Sequence, residues 1–173
     1  MNAAAPMPRS AAGRSGAVLA LVTALALLYI WSSAHALPPI VASHFGPSGV
    51  PNGFMPRRSY LGVMMIIVLA VPVLTTVGMG SMLRRPGARI NLPHRDYWLA
   101  PERREDTVTV LLGHMRLFAV ALVLLLTYVH GLVVSANARL PPLLDSTLMM
   151  RALGVFLLFT ITWIVMLLRR FRR

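Results

Sequence analysis

The sequence predicts an all-α membrane protein, a bundle of four transmembrane helices with an ordered outer loop after the first. Three observations carry that reading. The 173 residues are 57% hydrophobic and only 13% charged, against about a quarter charged in soluble domains. The apolar residues gather into four runs long enough to cross a hydrocarbon core. All 17 basic residues are arginines, and most of them flank those runs.

A net charge of +12 invites a nucleic-acid reading, but arginines at the ends of apolar runs do not make the single basic face that nucleic acid requires. They are the topology signal of a multi-pass membrane protein. The absence of cysteine excludes disulfides, thiol catalysis and thiolate metal sites.

Residues 1–15, rich in Ala, Pro and Ser with Arg9 and Arg14, are expected to be a disordered cytoplasmic tail. Residues 16–168 form a single four-helix transmembrane domain. Its first run, Gly16–Trp31, extends to about Ala36. At ~1.5 Å per residue, twenty-one residues give about 31 Å, enough to span. Ala34-His35-Ala36 also fits a signal-peptide cleavage pattern before Leu37; retention of the helix is the expectation, and the following loop lies outside in either case. The second span, Tyr60–Leu83, is expected to kink at Pro72, leaving a carbonyl free to accept from a neighbour. Gly78, Gly80 and Ser81 offer it a small-residue packing face.

Arg84–Asp106 is a charged inner loop, with Tyr97 and Trp98 suited to the headgroup layer. Ala100-Pro101-Glu102 reads as a helix start, with proline in the first turn and a carboxylate near the positive end of the dipole. The third helix therefore runs from Pro101 to about Val134, with its membrane span nearer Leu111–Val133. Arg116 and His114 are the polar residues nearest its inner end. Arg116 has three readings: snorkelling to the headgroups, pairing with Asp106 or Glu105, or a place in a proton or ion pathway. After a short outer loop, Asp145, Ser146 and Thr147 are candidate N-caps for the last span, Thr147–Leu168. Residues 169–173 are a basic cytoplasmic tail.

The segment Leu37–Phe54 is more constrained than a connection requires. Pro38, Pro39, Pro47 and Pro51 fix φ, and Asn52-Gly53 and Pro47-Ser48-Gly49 both read as turns. Leu37-Pro38, Ser43-His44-Phe45-Gly46, Gly49 and Pro51-Asn52-Gly53-Phe54 together resemble the signature of the bacterial domain of unknown function 1648. That domain occurs in SdpI-like membrane proteins, relatives of toxin-immunity proteins. The inner-loop stretch built on Asn91, Pro93, Asp96, Tyr97, Trp98, Pro101, Glu102, Arg103 and Arg104 is similar to one that follows the second helix in many of these proteins.

His44, His130, Asp145 and possible company from His35 bring metal-ligand chemistry toward the outer face, but no paired spacing accompanies them, so ordinary interfacial histidines and no metal or other cofactor are expected. No nucleophile elbow or phosphate loop is present, which argues against an enzyme. Thr23, Thr75, Thr76, Thr127 and Thr160 are the polar residues available near the midplane, too few for a transporter. The resemblance implies an SdpI-like immunity or envelope-stress role in the bacterial inner membrane. It would act without catalysis, through loop-mediated binding of a peptide toxin or another membrane protein; His44, Phe45, Gly46, Asn52 and Gly53 are the candidate binding residues. The alternative is an accessory or packing subunit of a membrane complex. The expected surroundings are lipid, and nucleic acid is no partner.

Twelve arginines lie in the first tail, the inner loop and the C-terminus, against four on the other side: Arg57, Arg58, Arg139 and Arg151. Both termini are therefore expected in the cytoplasm. Reporter fusions after Gly49 and after Asp145 are expected to be active only with a reporter that works outside the cytoplasm. A cytoplasmic signal at either position would reverse this topology.

Overall fold

The computed structural model describes residues 9–85 and 88–172, with side chains from Gly13 onward. Four helices are long and apolar enough to cross a membrane: Gly13–Ala36, Arg57–Arg84, Pro101–Asn137 and Ser146–Arg170. In chain order the elements are α1 (Arg9–Ser32), a 3-10 turn (Ser33–Ala36), β1 (Ile40–Phe45), β2 (Pro51–Pro56), α2 (Arg57–Val73), α3 (Met79–Arg84), α4 (Arg95–Trp98), α5 (Pro101–Asn137) and α6 (Ser146–Arg170). A π-helical turn, Leu74–Gly78, makes α2 and α3 one continuous span.

Helices α1, α2 and α5 pack on one another through Ala26, Ile30, Val68 and Val123. The fourth lies chiefly against α5, where Phe118 meets Phe156, Phe159 and Trp163. Trp163 Nε1 adds a hydrogen bond to the His114 carbonyl at 2.9 Å. No residue of α6 is buried, and the apolar side chains away from its α5-facing side are exposed, as lipid contact requires. Two further clusters close the ends. Leu37, Val41, Tyr60, Leu132, Val133, Ala136 and Leu144 form the hairpin end. Leu83, Ile90, Val108, Leu111, Leu112 and Phe171 gather at the arginine-rich end.

Several expectations are corrected. Residues 9–15 are helical, not a disordered tail, because this alanine-bearing stretch extends a helix already nucleated by the span; residues 1–8 lie outside the described residues. The basic stretch 169–173 begins inside α6, and Phe171 is buried. Arg173 lies outside the described residues. At Pro72 the helix widens into the π turn, where the Val71 and Pro72 carbonyls accept from the Thr75 and Thr76 hydroxyls of the same helix. Of the small-residue face, only Gly80 approaches α5: a Cβ there would sit 3.6 Å from Leu112, while Gly78 meets nothing and Ser81 is exposed. Thr23, Thr127 and Thr160 also bond back to their own helices.

The outer loop is ordered as expected, but as an antiparallel β-hairpin, with Val41 opposite Met55 and Ala42 opposite Phe54. The turn is Pro47-Ser48-Gly49, closed by Gly49 N–H to Gly46 C=O at 2.9 Å and Gly46 N–H to Val50 C=O at 2.8 Å. A three-residue loop ending in a left-handed glycine suits a twisted hairpin, and Gly49 has φ 81°. Asn52-Gly53 is not a turn: it lies within β2, where Gly53 opposes a bulge at His44. The structure selects between the two turn signals by docking, since the Gly49 carbonyl accepts from Leu144 N–H at 3.0 Å.

A Cβ on Gly49 would stand 2.2 Å from the Leu144 carbonyl oxygen. Gly49→Ala is therefore expected to cost about 1–3 kcal/mol from left-handed strain and displaced backbone. Gly62→Ala, with nothing within 4 Å of the added methyl, is expected to be neutral or mildly stabilising. Thermal unfolding of the two variants in detergent checks both outcomes.

Candidate functional site

The hairpin sits on the bundle by polar contacts rather than by surface contact alone. Asn137, near the end of α5, is buried beneath β1. Its Oδ1 accepts from Ala42 N–H at 2.9 Å, and its Nδ2 donates to the Ala42 and Val133 carbonyls at 3.0 and 2.9 Å. One amide thus satisfies both backbone groups of a strand residue as a neighbouring strand would. Arg57, at the first turn of α2, donates to the Ala34 and Leu37 carbonyls at 3.3 and 3.0 Å. Ser146 Oγ donates to the Pro47 carbonyl at 3.0 Å. Asp145 caps α6 by accepting from Leu148 N–H at 3.0 Å, as expected of it.

Beneath this seat, fully buried His130 joins three helices. Ser33 Oγ donates to the Ile30 carbonyl at 2.8 Å, so its lone pairs face His130 Nε2, 2.6 Å away. Tyr60 Oη lies 3.0 Å from Nδ1. A complete chain forms when the imidazole carries its single proton on Nε2 and Tyr60 donates to Nδ1. The Tyr60 ring stacks on the imidazole, with centroids 5.6 Å apart, and Tyr29 meets it edge-on at 5.7 Å. His130 is therefore a buried tie and not an interfacial histidine. Its removal from the surface, and the capping task of Asp145, dissolve the outer cluster the sequence allowed; among the described residues no three His, Cys, Asp or Glu side chains are placed to share a metal.

Between β1, the hairpin end of α5 and the start of α6 lies a cleft of about 440 Å³, within the range of small-ligand sites. His44, Phe45 and Gly46 line it, with Val129, Met149 and Met150 on the opposite walls. The polar groups Ser43 and Ser146 also face it. His44 is exposed, whereas Phe45 is half-buried and packs down on the bundle. Asn52 is exposed and Gly53 lies under the His44 side chain; neither lines the cleft. Phe54 is 59% exposed on the hairpin.

The inner-loop residues are tied into the fold. Trp98 Nε1 donates to the Phe171 carbonyl at 2.9 Å, and Thr107 Oγ1 donates to the Trp98 carbonyl at 2.7 Å. Arg103 donates to the Tyr97 carbonyl at 2.9 Å and its guanidinium lies 4.0 Å over the Tyr97 ring. Arg104 donates to the Leu83 and Arg85 carbonyls at 3.2 and 2.8 Å, which caps the end of α3. Pro101 opens α5, while Asn91, Asp96 and Glu102 are exposed and Pro93 is half-buried. The backbone enters α4 through His94 at φ 50°. Arg116, half-buried, donates to Ser15 Oγ at 3.3 Å, toward the start of α1.

Sequence reasoning missed Ser33, Tyr60 and Asn137 and misplaced His130. The one available signal was spacing: His130 and Asn137, two turns apart, share a face of α5.

These features define a multi-pass membrane protein with a docked hairpin at one end. Residues 18–71, from α1 through the hairpin to the end of α2, match a family described as a domain of unknown function, DUF1648. Those residues therefore carry a DUF1648 domain. The inner-loop motif lies outside the matched residues. No curated protein and no solved structure matches the chain.

Asn137→Ala removes the partner of two buried backbone groups, an expected cost of about 2–4 kcal/mol. Hydrogen exchange followed by mass spectrometry should then show loss of protection in 40–56, with the α1, α2 and α5 spans still protected.

Proposed function

We propose that this protein resides in the bacterial inner membrane with both termini in the cytoplasm, and gives SdpI-like protection against an envelope-active peptide by binding it at the hairpin. The observation that carries this reading is the division of labour in β1. Val41, Ala42 and Phe45 secure the strand to the bundle, while His44 is left exposed beside an apolar, methionine-bearing cleft. A fixed backbone presenting one hydrogen-bonding side chain over adaptable apolar walls favours recognition, because little ordering entropy is lost on binding. The site acts by binding and needs no chemistry of its own. Asn52 and Phe54 extend the surface on the exposed side of the hairpin.

A second reading, an accessory subunit, draws support from α6, none of whose residues is buried. A stoichiometric protein partner co-purifying in mild detergent, and lost on polar substitution along α6, would favour it.

The test of the first reading is protection of a strain sensitive to an envelope-active peptide. His44→Ala is expected to abolish protection while shifting the thermal midpoint by less than about 2 °C, as for other exposed substitutions. A fall of several degrees, or intact protection, would overturn the binding role of His44.

A further inference from the structure

At the opposite end, a cleft of about 420 Å³ opens between the last turn of α3 and the first turns of α5, lined by Arg84, Pro101, Arg104, Glu105, Val108 and Thr109. It shares no residue with the hairpin cleft. Two features distinguish it from a solvated charged surface. Arg104 is held in place by its bonds to the Leu83 and Arg85 carbonyls, so one guanidinium is fixed at the cleft wall. Arg84 folds back along its own helix, with Nη1 3.5 Å from where a Cβ on Gly80 would lie. The side chain thus lies along the helix, with its guanidinium aimed toward the apolar part of the span. Two turns before Arg84, Val77 is 65% exposed, and Met82 is 56% exposed.

We propose that this cleft binds one glycerophospholipid whose headgroup carries a hydrogen-bond donor beside the phosphate. Charge complementarity assigns the parts. The phosphodiester takes the two guanidiniums, whose planar N–H forks match phosphate oxygens. The exposed carboxylate of Glu105, otherwise repulsive to an anion, receives the ammonium of an ethanolamine headgroup or the hydroxyls of a glycerol headgroup. Thr109 offers a hydroxyl at the same level, and the acyl chains run down past Val77. Basic pockets between transmembrane helices are established places for lipid headgroups. A choline headgroup has no N–H or O–H to give Glu105 and is expected to be disfavoured.

The experiment is native mass spectrometry of the full chain released from nanodiscs holding equal parts phosphatidylethanolamine, phosphatidylglycerol and phosphatidylcholine. One molecule of either of the first two lipids is expected to stay bound, with phosphatidylcholine retained about tenfold less, the discrimination of one charge-assisted hydrogen bond. Arg84→Gln is expected to reduce retention of all three lipids by about tenfold. Arg89→Gln, exposed but outside the cleft, should leave retention unchanged. Glu105→Gln should bring the donor-bearing lipids down toward phosphatidylcholine. Equal retention of phosphatidylcholine by the wild type, or equal losses in Arg84→Gln and Arg89→Gln, would overturn the proposal. So would displacement of the lipid by millimolar inorganic phosphate, which would mark a free-anion site.

Discussion

A two-stranded hairpin on its own is marginal, because each strand leaves one edge of backbone groups without partners. On this protein the problem is solved by Asn137. Its carboxamide reproduces the donor and acceptor of a third strand at Ala42 and also donates to the Val133 carbonyl of its own helix. The rest of the hairpin end follows from that contact. Val41 is carried into the cluster with Tyr60 and Leu132, the tip reaches Leu144, and the bulge at His44 turns that side chain outward. An apolar residue at 137 would leave two buried groups of β1 unsatisfied, a cost no added contact area at that point would offset.

The same economy of backbone bonding governs the other end. A helix that stops near a membrane surface leaves carbonyls that lipid cannot satisfy. Arg104 supplies donors to the end of α3, and Trp98 supplies one to the Phe171 carbonyl after α6. Trp98 of α4 and Arg104 of α5 therefore tie the ends of α6 and α3 together at this end of the bundle. Arg104, in the first turn of α5, lies against the C-terminus of α3, where positive charge is also favoured by the helix dipole.

Inside the bundle, much of the side-chain polarity is returned to the backbone of the same helix. The threonines return their hydroxyls to their own helices, and the π turn after Pro72 is stabilised in that way. His130 instead takes partners from two other segments, Ser33 after α1 and Tyr60 of α2, and so ties α1, α2 and α5 to one another. A network whose members are all satisfied specifies one arrangement of helices, and the hairpin rests directly on it.

The sequence by itself determined the four spans and the start of α5 at Pro101, and it offered Asp145 among three candidate caps and Pro47-Ser48-Gly49 as one of two turns. Each depends on run length or on residues a few positions apart, and such information survives in one dimension. What only the tertiary structure decided was which of two turn signals closes the hairpin, the division between a half-buried Phe45 and an exposed His44, the burial of His130, and the use of Asn137 as a strand edge. The partners in these cases are separated by 97 residues for Ser33 and His130, and by 95 for Ala42 and Asn137. A histidine or asparagine near a helix end is equally at home in headgroups or in a core. Its role is set by which backbone groups the packing of distant elements brings against it and leaves in need of a partner.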